Sequence, residues 1–362
     1  MKRVIISGGG TGGHIFPAIS IANMLKEVDK TVEILFVGAE GRMEMEKIPA
    51  AGYNIVGLPV VGLQRKLTLK NFLVPFKLFT SLRKSTKIIK DFKPDAVIGV
   101  GGYASAPVLK TAQRMGIPTL IQEQNSYAGV TNKLLSKKAA AICVAYQGME
   151  RFFPKEKLFY TGNPVRQDLF NLAGIREEAL RFFGLDPKKP VILSLGGSLG
   201  ARTMNESVAA HLSELERNNI QIIWQTGKYY FNAALQLSEG KSSVKVCDFI
   251  QNMKYAFSAA DIIISRAGAG TISELCIVGK PAILTPSPNV AEDHQTKNAM
   301  ALVRQNAAIM IKDEDAQRDL IPKAVEILGN TAAMKDLSVN IAKLALPDAA
   351  KEIVKIILTL YK

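Results

Sequence analysis

Cysteine, histidine and long apolar runs are scarce in this sequence. Its 362 residues include three cysteines and three histidines. The cysteines are Cys143, Cys247 and Cys276, which stand far apart in apolar contexts and without C-x-x-C spacing. This pattern argues against a disulfide framework and fits a reducing cytoplasm. No run of about 18 apolar residues occurs, so no membrane-spanning helix is predicted. The first apolar run stops at Gly8, which is too short for a secretory signal peptide.

The composition is that of a folded, strongly basic chain. Hydrophobic residues make up 48% and charged residues 22%, so the chain can form a sizeable core, and its length fits two domains. The net charge is +14, and residues 1–163 contribute +12 of it. This asymmetry predicts that the N-terminal half contacts something anionic. Nucleic acid, an anionic membrane and a diphosphate substrate all remain open at this point.

Short apolar runs alternate with helical patterns along nearly the whole chain, and helices are expected over Phe16–Val28 and Ala201–Glu216 among others. The first half carries RVIIS, VEILFVG, DAVIGVG, PTLIQEQ and AAICVAY; the second carries PVILSLGG, IQIIWQTG, VKVCDFI, DIIIS, PAILTPS and AAIMIK. Strands with little polar alternation between helices indicate parallel sheets that are buried on both faces. We therefore expect two doubly wound α/β domains, at residues 1–163 and 164–347. Residues 348–362 are predicted to form a helix that packs on either domain.

Four glycine-rich turns follow predicted strands, a pattern typical of phosphate sites. They are Ser7–Ala18, Gly99–Pro107, Ser194–Arg202 and Arg266–Glu274. Glycine lets a ligand approach the backbone, and the next helix offers unpaired N–H groups. Tight packing alone also places glycine in such turns. The first turn matches G-x-G-x-x-G, which raises the dehydrogenase alternative, but no acidic residue closes the second strand about 20 positions on.

Polar side chains near these turns favour a sugar ligand. His14 follows the first turn, and His294 lies in another loop. The segment Gln122–Lys133 places Glu123, Gln124, Asn125 and Asn132 after a predicted strand. Amide and carboxylate groups together can bind hydroxyls that both donate and accept. The alternative is that these groups cap the helix expected to begin near Ala128.

The set of motifs resembles the MurG family. GGGTGGHIFPAISIA, GVGGYASAP, QEQNSYAGVTNK, GNPVR, GGSLGA, SRAGAGTISE and DHQTKNA occur in that family's order and cover nearly the whole chain. The resemblance implies a GT-B fold, with two Rossmann-like domains facing across a cleft. It implies a peripheral membrane enzyme of peptidoglycan synthesis, and so a role in cell shape and division. The family transfers N-acetylglucosamine from UDP-GlcNAc to lipid I, undecaprenyl-pyrophosphoryl-N-acetylmuramoyl-pentapeptide. The product is lipid II, and the new β-1,4 bond inverts the donor's configuration.

The resemblance also implies a UDP-GlcNAc site. Glu274 corresponds to the carboxylate that binds the ribose hydroxyls; its alternative role is to complement the helix dipole. The turn formed by Ala269, Gly270, Thr271, Ile272 and Ser273 is expected to face the donor sugar and diphosphate. The other residues implied to contact UDP-GlcNAc are Thr11, Gly12, Gly13, Asn125, Arg166, Ser198, Ile250 and Gln295.

The expected chemistry needs a base for the acceptor's 4-hydroxyl and stabilisation of departing UDP. His14 is the candidate base, and its alternative role is to orient the acceptor or its pyrophosphate. No Asp-x-Asp motif stands at a strand end, so neither a metal nor another cofactor is expected. Gln122 stands where the family commonly has histidine. If that histidine is catalytic, its role is lost or moved here; otherwise the position is a replaceable hydrogen-bonding one.

The segment Gly62–Lys93 is the candidate membrane face, on the cytoplasmic side of the cell membrane. It holds nine Lys and Arg residues and one acid, Asp91, interleaved with Leu and Phe. Such a mixture suits an anionic bilayer surface. The alternative is a core helix with a solvated basic face. Nucleic acid is not expected as a partner because no binding motif accompanies the patch; other cell-wall synthesis proteins are potential partners.

Other functions share parts of this pattern. A UDP-GlcNAc 2-epimerase or another lipid glycosyltransferase would share the two domains and the UDP site, but an epimerase needs no lipid-facing surface. A non-catalytic UDP-sugar-binding scaffold would keep Glu274 and Ser198 without needing His14. A dehydrogenase is the third alternative, and NAD binding would favour it.

Overall fold

The computed structural model describes residues 2–60, 74–197, 199–290 and 293–360. The chain forms two compact units. The first unit is Met1–Arg166 with Leu346–Lys362, and the second unit is Gln167–Ala345. The boundary therefore lies directly after the segment GNPVR, and the chain returns to the first unit at its C-terminal end.

The first unit is built on a seven-stranded sheet in which every neighbouring pair is parallel. Its strands are β1 (Arg3–Ser7), β2 (Glu33–Ala39), β3 (Asn54–Leu58), β4 (Ala96–Gly99), β5 (Thr119–Glu123), β6 (Ala141–Val144) and β7 (Leu158–Tyr160). The order is β3-β2-β1-β4-β5-β6-β7. Ser7 pairs with Gly99, and Gly99 pairs with Ile121, so the chain leaves β1, β4 and β5 at one edge.

The second unit repeats this design with six parallel strands. They are β8 (Val191–Leu195), β9 (Gln221–Gln225), β10 (Val244–Cys247), β11 (Ile262–Ser265), β12 (Ala282–Leu284) and β13 (Ile309–Met310). The order is β10-β9-β8-β11-β12-β13. Ser265 pairs with both Leu195 and Leu284, which brings the turns after β8, β11 and β12 together.

Helices cover the sheets. Those of the first unit are α1 (Gly12–Val28), α2 (Glu44–Ala50), α3 (Val74–Phe92), α4 (Ser105–Arg114) and α5 (Val130–Ser136). Those of the second unit are α6 (Arg176–Phe183), α7 (Arg202–Ala210), α8 (Leu212–Arg217), α9 (Lys228–Leu237), α10 (Met253–Ala259), α11 (Ala269–Val278), α12 (His294–Val303), α13 (Ala316–Leu328) and α14 (Thr331–Ala342). The last helix, α15 (Ala349–Thr359), belongs to the first unit.

Each sheet has an apolar core on both faces, as the nearly unbroken apolar strands predict. In the first unit, Ile15 and Ile21 of α1 share one of these cores with Ile353 and Ile357 of α15. The helix α15 therefore covers the face on which α1 packs. Within the described residues, no helix combines the length and the apolarity that crossing a bilayer requires.

The fold differs from the sequence prediction at a few elements. The strands β3 and β7 were not predicted, because NIVGL contains Asn and Gly and LFY is only three residues long. The helix expected over Phe16–Val28 begins earlier, at Gly12, since the Thr11 carbonyl accepts from both His14 N and Ile15 N. The helix expected over Ala201–Glu216 is divided at His211 into α7 and α8.

Candidate active site

The first glycine turn brings the β1–α1 connection against the turn after β4. A Cβ atom on Gly8 would lie 2.2 Å from Cγ2 of Val100, so only glycine fits at this contact. Thr11 then takes an extended conformation as the N-cap of α1, and Gly12 and Gly13 open the helix. This is the start of a helix, where backbone N–H groups have no intrahelical carbonyl partner.

His14 lies over the second glycine turn. Its Nδ1 is 3.2 Å from Oγ1 of Thr11. A Cβ atom on Gly101 would lie 2.7 Å from Cδ2 and 2.8 Å from Nε2 of the imidazole, and Gly101 has φ +91°. Glycine is therefore required at position 101 both by its backbone conformation and by the space that the His14 ring occupies.

Glu123, at the end of β5, holds the loop that follows it. Its Oε1 accepts from the backbone N of Asn125 at 3.1 Å. Its Oε2 accepts from Nδ2 of Asn132 at 2.8 Å and from the backbone N of Gly129 at 3.1 Å. Burial raises the pKa of the Glu123 carboxyl, and these donors act in the opposite direction. The loop containing Asn125 is thus folded around a buried carboxyl group.

Gln122 lies in a closed ring of amide hydrogen bonds. Its Nε2 donates to Oδ1 of Asn163 at 2.9 Å. Nδ2 of Asn163 donates to the backbone O of Gln124 at 3.1 Å, and Nε2 of Gln124 donates to Oε1 of Gln122. Gln124 Nε2 also donates to the carbonyl of Val100 at 2.6 Å. The residue that replaces the family's histidine therefore helps to fix the chain after β4 and β5.

Arg166 is the last residue of the first unit, and its guanidinium group stacks on Phe16 of α1. The Cζ atom is 5.7 Å from the centre of the ring. A Cβ atom on Gly12 would lie 3.2 Å from Cε2 of the same ring. Arg166 thus lies beside the N-terminal turns of α1, the helix that carries His14.

In the second unit, Arg266 connects the turn before α11 to three other segments. Nη1 donates to the carbonyls of Thr285 at 3.0 Å and Pro286 at 3.2 Å, and to the carboxylate of Asp313. Nη2 donates to Oγ1 of Thr203 at 3.2 Å. The Arg266–Asp313 pair is largely buried. One side chain therefore fixes the edge of the sheet at which α11 begins with the residues Ala269–Ser273.

Of the other described candidates of the second unit, Ile250 lies on a loop, Gln295 lies in the first turn of α12, and the rest lie in α11. Ile250 is buried, and its N–H donates to Oε1 of Gln225 at 3.2 Å. Oε1 of Gln295 accepts from the backbone N of Ser287 at 2.8 Å. Within α11, the hydroxyl of Ser273 donates to the carbonyl of Ala269 at 3.1 Å, and Glu274 is partly exposed on the same helix.

Ser198 lies outside the described residues, but glycines of its turn are defined. A Cβ atom on Gly200, which has φ +80°, would lie 2.1 Å from the carbonyl O of Thr226. The turn after β8 therefore packs directly on the turn after β9, and no side chain fits between them.

The predicted site residues accordingly fall into two groups, one in each unit. Thr11, Gly12, Gly13, His14, Asn125 and Arg166 belong to the first unit. Ile250, Ala269, Gly270, Thr271, Ile272, Ser273, Glu274 and Gln295 belong to the second. Among the residues that the structure describes, no three His, Cys, Asp or Glu side chains gather as ligands for a metal ion.

Several polar residues of these surroundings were missed by the sequence reasoning. Glu44 accepts a hydrogen bond from the first glycine turn, Asp313 pairs with Arg266, and Asn163 closes the amide ring. Asp313 lies in the acidic run DEDAQRD. Glu44 stands in the segment RMEMEKI, where neighbouring apolar residues are the only local feature. Neither Asp313 nor Glu44 belongs to a recognisable motif, so only the fold places them near the site.

The predicted membrane-facing stretch, Gly62–Lys93, is partly outside the described residues, which omit 61–73. The part that the structure describes is mainly the helix α3. Phe76, Leu78 and Phe79 are exposed there. The guanidinium of Arg83 stacks on Phe79 with its Cζ 4.7 Å from the ring centre, and Nζ of Lys84 is 2.7 Å from Oε1 of Glu40. Apolar and cationic groups are thus interleaved on the exposed surface of this helix.

Two family models match this chain. The glycosyltransferase family 28 N-terminal domain matches residues 4–144, and its C-terminal domain matches residues 191–353. A curated relative from Phocaeicola vulgatus is 62% identical over 356 residues, covering 98% of this chain and 95% of the relative. It is named UDP-N-acetylglucosamine--N-acetylmuramyl-(pentapeptide) pyrophosphoryl-undecaprenol N-acetylglucosamine transferase. A relative of the same name from Porphyromonas gingivalis is 55% identical, covering 97% of this chain and 94% of its own.

The chain belongs to the MurG family, within glycosyltransferase family 28. The crystal structure of MurG from Acinetobacter baumannii has a TM-score of 0.79 at 30% identity, covering 99% of this chain and 100% of that one. This likeness confirms the predicted fold class of two Rossmann-like domains. A UDP-GlcNAc 2-epimerase from Neisseria meningitidis has a TM-score of 0.70 at 15% identity, which shows a shared fold alone. Membership of the MurG family makes this chain a glycosyltransferase.

Proposed function

We propose that this protein transfers N-acetylglucosamine from UDP-GlcNAc to lipid I and thereby forms lipid II for peptidoglycan synthesis. The observation that carries the proposal is the 62% identity to a transferase of that name across nearly all of both chains. The epimerase alternative has only a shared fold in its favour.

His14 is the proposed general base. The 4-hydroxyl oxygen of the acceptor's N-acetylmuramoyl group attacks C1 of the donor sugar as the bond between C1 and the UDP oxygen breaks. The hydroxyl proton passes to the imidazole, and UDP leaves with the bonding electron pair. Attack on the face opposite the leaving group inverts the α-linked donor into a β-1,4 product. Thr11 Oγ1 lies 3.2 Å from Nδ1, and this contact supports the role because it orients the imidazole ring.

The second unit is proposed to bind UDP. Glu274 would accept from both ribose hydroxyls, and the turn Ala269–Ser273 would meet the diphosphate at the N-terminus of α11, where the helix dipole favours negative charge. Ser198, Ile250 and Gln295 are the further proposed contacts. The four hydrogen bonds of Arg266 support this assignment, since they fix the turn before any ligand arrives.

Thr11, Gly12, Gly13, Asn125 and Arg166 remain proposed contacts to the donor from the first unit. Glu123 is better suited to folding the Asn125 loop than to proton transfer, because both of its oxygens already accept hydrogen bonds. The ring that contains Gln122 supports a hydrogen-bonding rather than an acid–base role at that position.

One assay tests the proposed reaction. The protein is incubated with labelled UDP-GlcNAc and a short-chain lipid I analogue, and the product is examined for a β-1,4-linked disaccharide. Transfer of label to the acceptor is the expected result. Tight UDP-GlcNAc binding without transfer would indicate a binding scaffold, and label appearing in the 2-epimer of the donor would indicate an epimerase.

We also infer that the protein acts at the cytoplasmic side of the cell membrane and that α3 contacts the anionic surface. The exposed Phe76, Leu78 and Phe79 support this inference, and so do the cations of the same helix. Lys84 contributes less than its neighbours because Glu40 already neutralises it. The cations expected to contribute most are Lys77, Arg83 and Lys87.

Vesicle sedimentation tests the membrane contact. Replacing Lys77, Arg83 and Lys87 with glutamine should weaken binding to phosphatidylglycerol vesicles at low salt by up to about 3 kcal/mol. The matched control replaces three exposed lysines of the second unit with glutamine: Lys188, Lys335 and Lys343. The control should sediment like the wild type. Equal loss in both variants would assign the effect to net charge and remove α3 as the contact surface.

A further inference from the structure

Glu44 is a buried carboxylate to which the proposed reaction gives no role. It begins α2, and its side chain is 1% exposed. Oε2 accepts from the backbone N of Gly10 at 2.9 Å, and Oε1 accepts from the backbone N of Ala39 at 2.9 Å. Each oxygen thus binds a different segment: Gly10 follows β1, and Ala39 is the last residue of β2.

The chain around this carboxylate leaves no room for side chains. A Cβ atom on Gly9 would lie 2.1 Å from Oε1 of Glu44, and a Cβ atom on Gly38 would lie 2.6 Å from its Cγ. On the other side of Gly9, a Cβ atom on Gly102 would lie 2.3 Å from the Gly9 carbonyl oxygen. The carboxylate, the first glycine turn and the second glycine turn are therefore stacked in direct contact.

This arrangement changes how the first glycine turn is understood. Backbone N–H groups of glycine-rich turns commonly bind phosphate from outside the protein. Here the Gly10 N–H is already bound by an anion of the protein's own chain, which also places negative charge beneath the turn. At Gly10 the turn is thus built around an internal anion and is held fixed without a ligand.

The fixed turn leads directly to the proposed base. Gly10 precedes Thr11, the N-cap of α1, whose hydroxyl lies 3.2 Å from Nδ1 of His14. The His14 ring in turn lies against Gly101, the neighbour of Gly102. A displacement of Gly9 and Gly10 would therefore move both supports of the imidazole.

We propose that Glu44 is a positioning residue of the transfer reaction, which fixes the first glycine turn and through it the orientation of His14. The inference rests on the proposed function, in which His14 is the base. Glu44 acts through the backbone and does not touch the substrate. The residues proposed to bind UDP belong to the second unit, which has its own cores. A change at Glu44 should therefore affect turnover and leave the binding of UDP itself intact.

The test uses Glu44→Gln in the full-length protein. The new amide NH2 would face either the Gly10 or the Ala39 N–H, so one hydrogen bond is replaced by two opposed donors. We expect kcat to fall by about 10²-fold, the scale of a misplaced catalytic group. The affinity for UDP, whose proposed contacts lie in the second unit, should stay within about twofold. Glu46→Gln, an exposed change on the same helix, is the matched control and should leave kcat unchanged.

A double variant separates positioning from general damage. If Glu44 acts through His14, Glu44→Gln should cause no further loss of kcat in a His14→Ala background. Gly9→Ala disturbs the same contact from the loop side and should show the same dependence on His14, which keeps the test decisive should Glu44→Gln fold poorly.

The possible failures are distinguishable. Unchanged kcat in Glu44→Gln, or a full additional loss in the His14→Ala background, would overturn the inference while the transfer reaction stands. Unchanged kcat in His14→Ala alone would remove the base itself, and the positioning role with it. Absence of transfer by the wild type would overturn the proposed function instead.

Discussion

Replacing Arg266 with alanine is the sharpest test of how the second unit holds the turn that is proposed to bind UDP. The guanidinium donates to Thr285 O, Pro286 O, Thr203 Oγ1 and the carboxylate of Asp313, so one residue serves four partners. The side chains of Arg266 and Asp313 are only 16% and 19% exposed. Alanine would leave an anion and two carbonyl groups in a largely dry environment without their cation.

The expected loss in the free energy of unfolding follows from the buried groups that remain after Arg266 is removed. Removing one partner of a buried ion pair costs about 3–5 kcal/mol, because the other charge stays buried. Asp313 would keep the hydroxyl of Thr203, which donates at 2.5 Å, so we expect the lower end, about 3 kcal/mol. Adding Asp313→Asn removes the stranded charge and should recover at least about 1 kcal/mol. Arg266→Lys should not restore the wild-type value, since a single ammonium cannot reproduce the planar fork of donors.

The protein carries its own probe for this measurement. Trp224 is the single tryptophan, it is fully buried in β9, and its Nε1 donates to Oδ1 of Asn205. Its fluorescence during urea unfolding therefore reports on the second unit. Arg318→Ala is the matched control, because Arg318 pairs with Asp315 and Asp319 at the surface. This change should lower the free energy of unfolding by less than about 1 kcal/mol.

Two results would refute this reasoning. An Arg266→Ala variant as stable as the wild type would mean that Asp313 is adequately solvated without its cation. A double variant less stable than Arg266→Ala would mean that the stranded charge is not the source of the loss. Calorimetric titration of UDP with the same proteins should show weaker binding wherever the turn is loosened.

Three other changes have defined outcomes. Glu274→Ala should weaken UDP-GlcNAc binding by about 1.5–3 kcal/mol without changing the melting temperature, and calorimetric titration giving the wild-type affinity would reduce Glu274 to a helix residue. His14→Ala should lower kcat by about 10²–10⁴-fold with little change in donor affinity, and wild-type turnover in steady-state assays would exclude it as the base. Burial and the neighbouring Arg176 lower the pKa of Lys280 to about 8 from 10.5. The folded protein therefore favours the neutral form of Lys280, and the stability associated with that form is lost as the pH falls through the folded pKa of about 8. The unfolding free energy of the wild type relative to Lys280→Met should rise by up to about 2 kcal/mol between pH 7 and 10, whereas a constant difference would contradict the shifted pKa.

The backbone organisation was largely predictable from the sequence, because local patterns determine it. Eleven apolar runs were predicted as strands, and each contains a strand of the two sheets. The glycine-rich turns follow β1, β4, β8 and β11, as the strand–turn–helix pattern predicts. The strands β3 and β7 lay outside this reasoning: NIVGL contains Asn and Gly, LFY has only three residues, and both stand at an edge of the first sheet.

The polar partners of the site were not predictable in the same way. Glu44 is 34 residues from Gly10, Asn163 is 41 from Gln122, and Asp313 is 47 from Arg266. Hydrophobic periodicity and capping signals extend over only about ten residues, so they carry no information about such pairs. A buried donor must nevertheless find an acceptor, and parallel topology brings the ends of distant strands to one edge.

The first glycine turn shows why this matters for assigning function. Its G-x-G-x-x-G spacing describes a backbone that can expose N–H groups to a phosphate, but not whether those groups are available. The carboxylate of Glu44 accepts the hydrogen bond of the Gly10 N–H, and the position of that carboxylate depends on the packing of α2 beside β2 and β3. Two chains with the same motif would therefore differ in what the turn binds if only one placed an acid at the start of α2. Whether a glycine turn receives a ligand or supports a catalytic side chain is thus determined by a residue outside the motif.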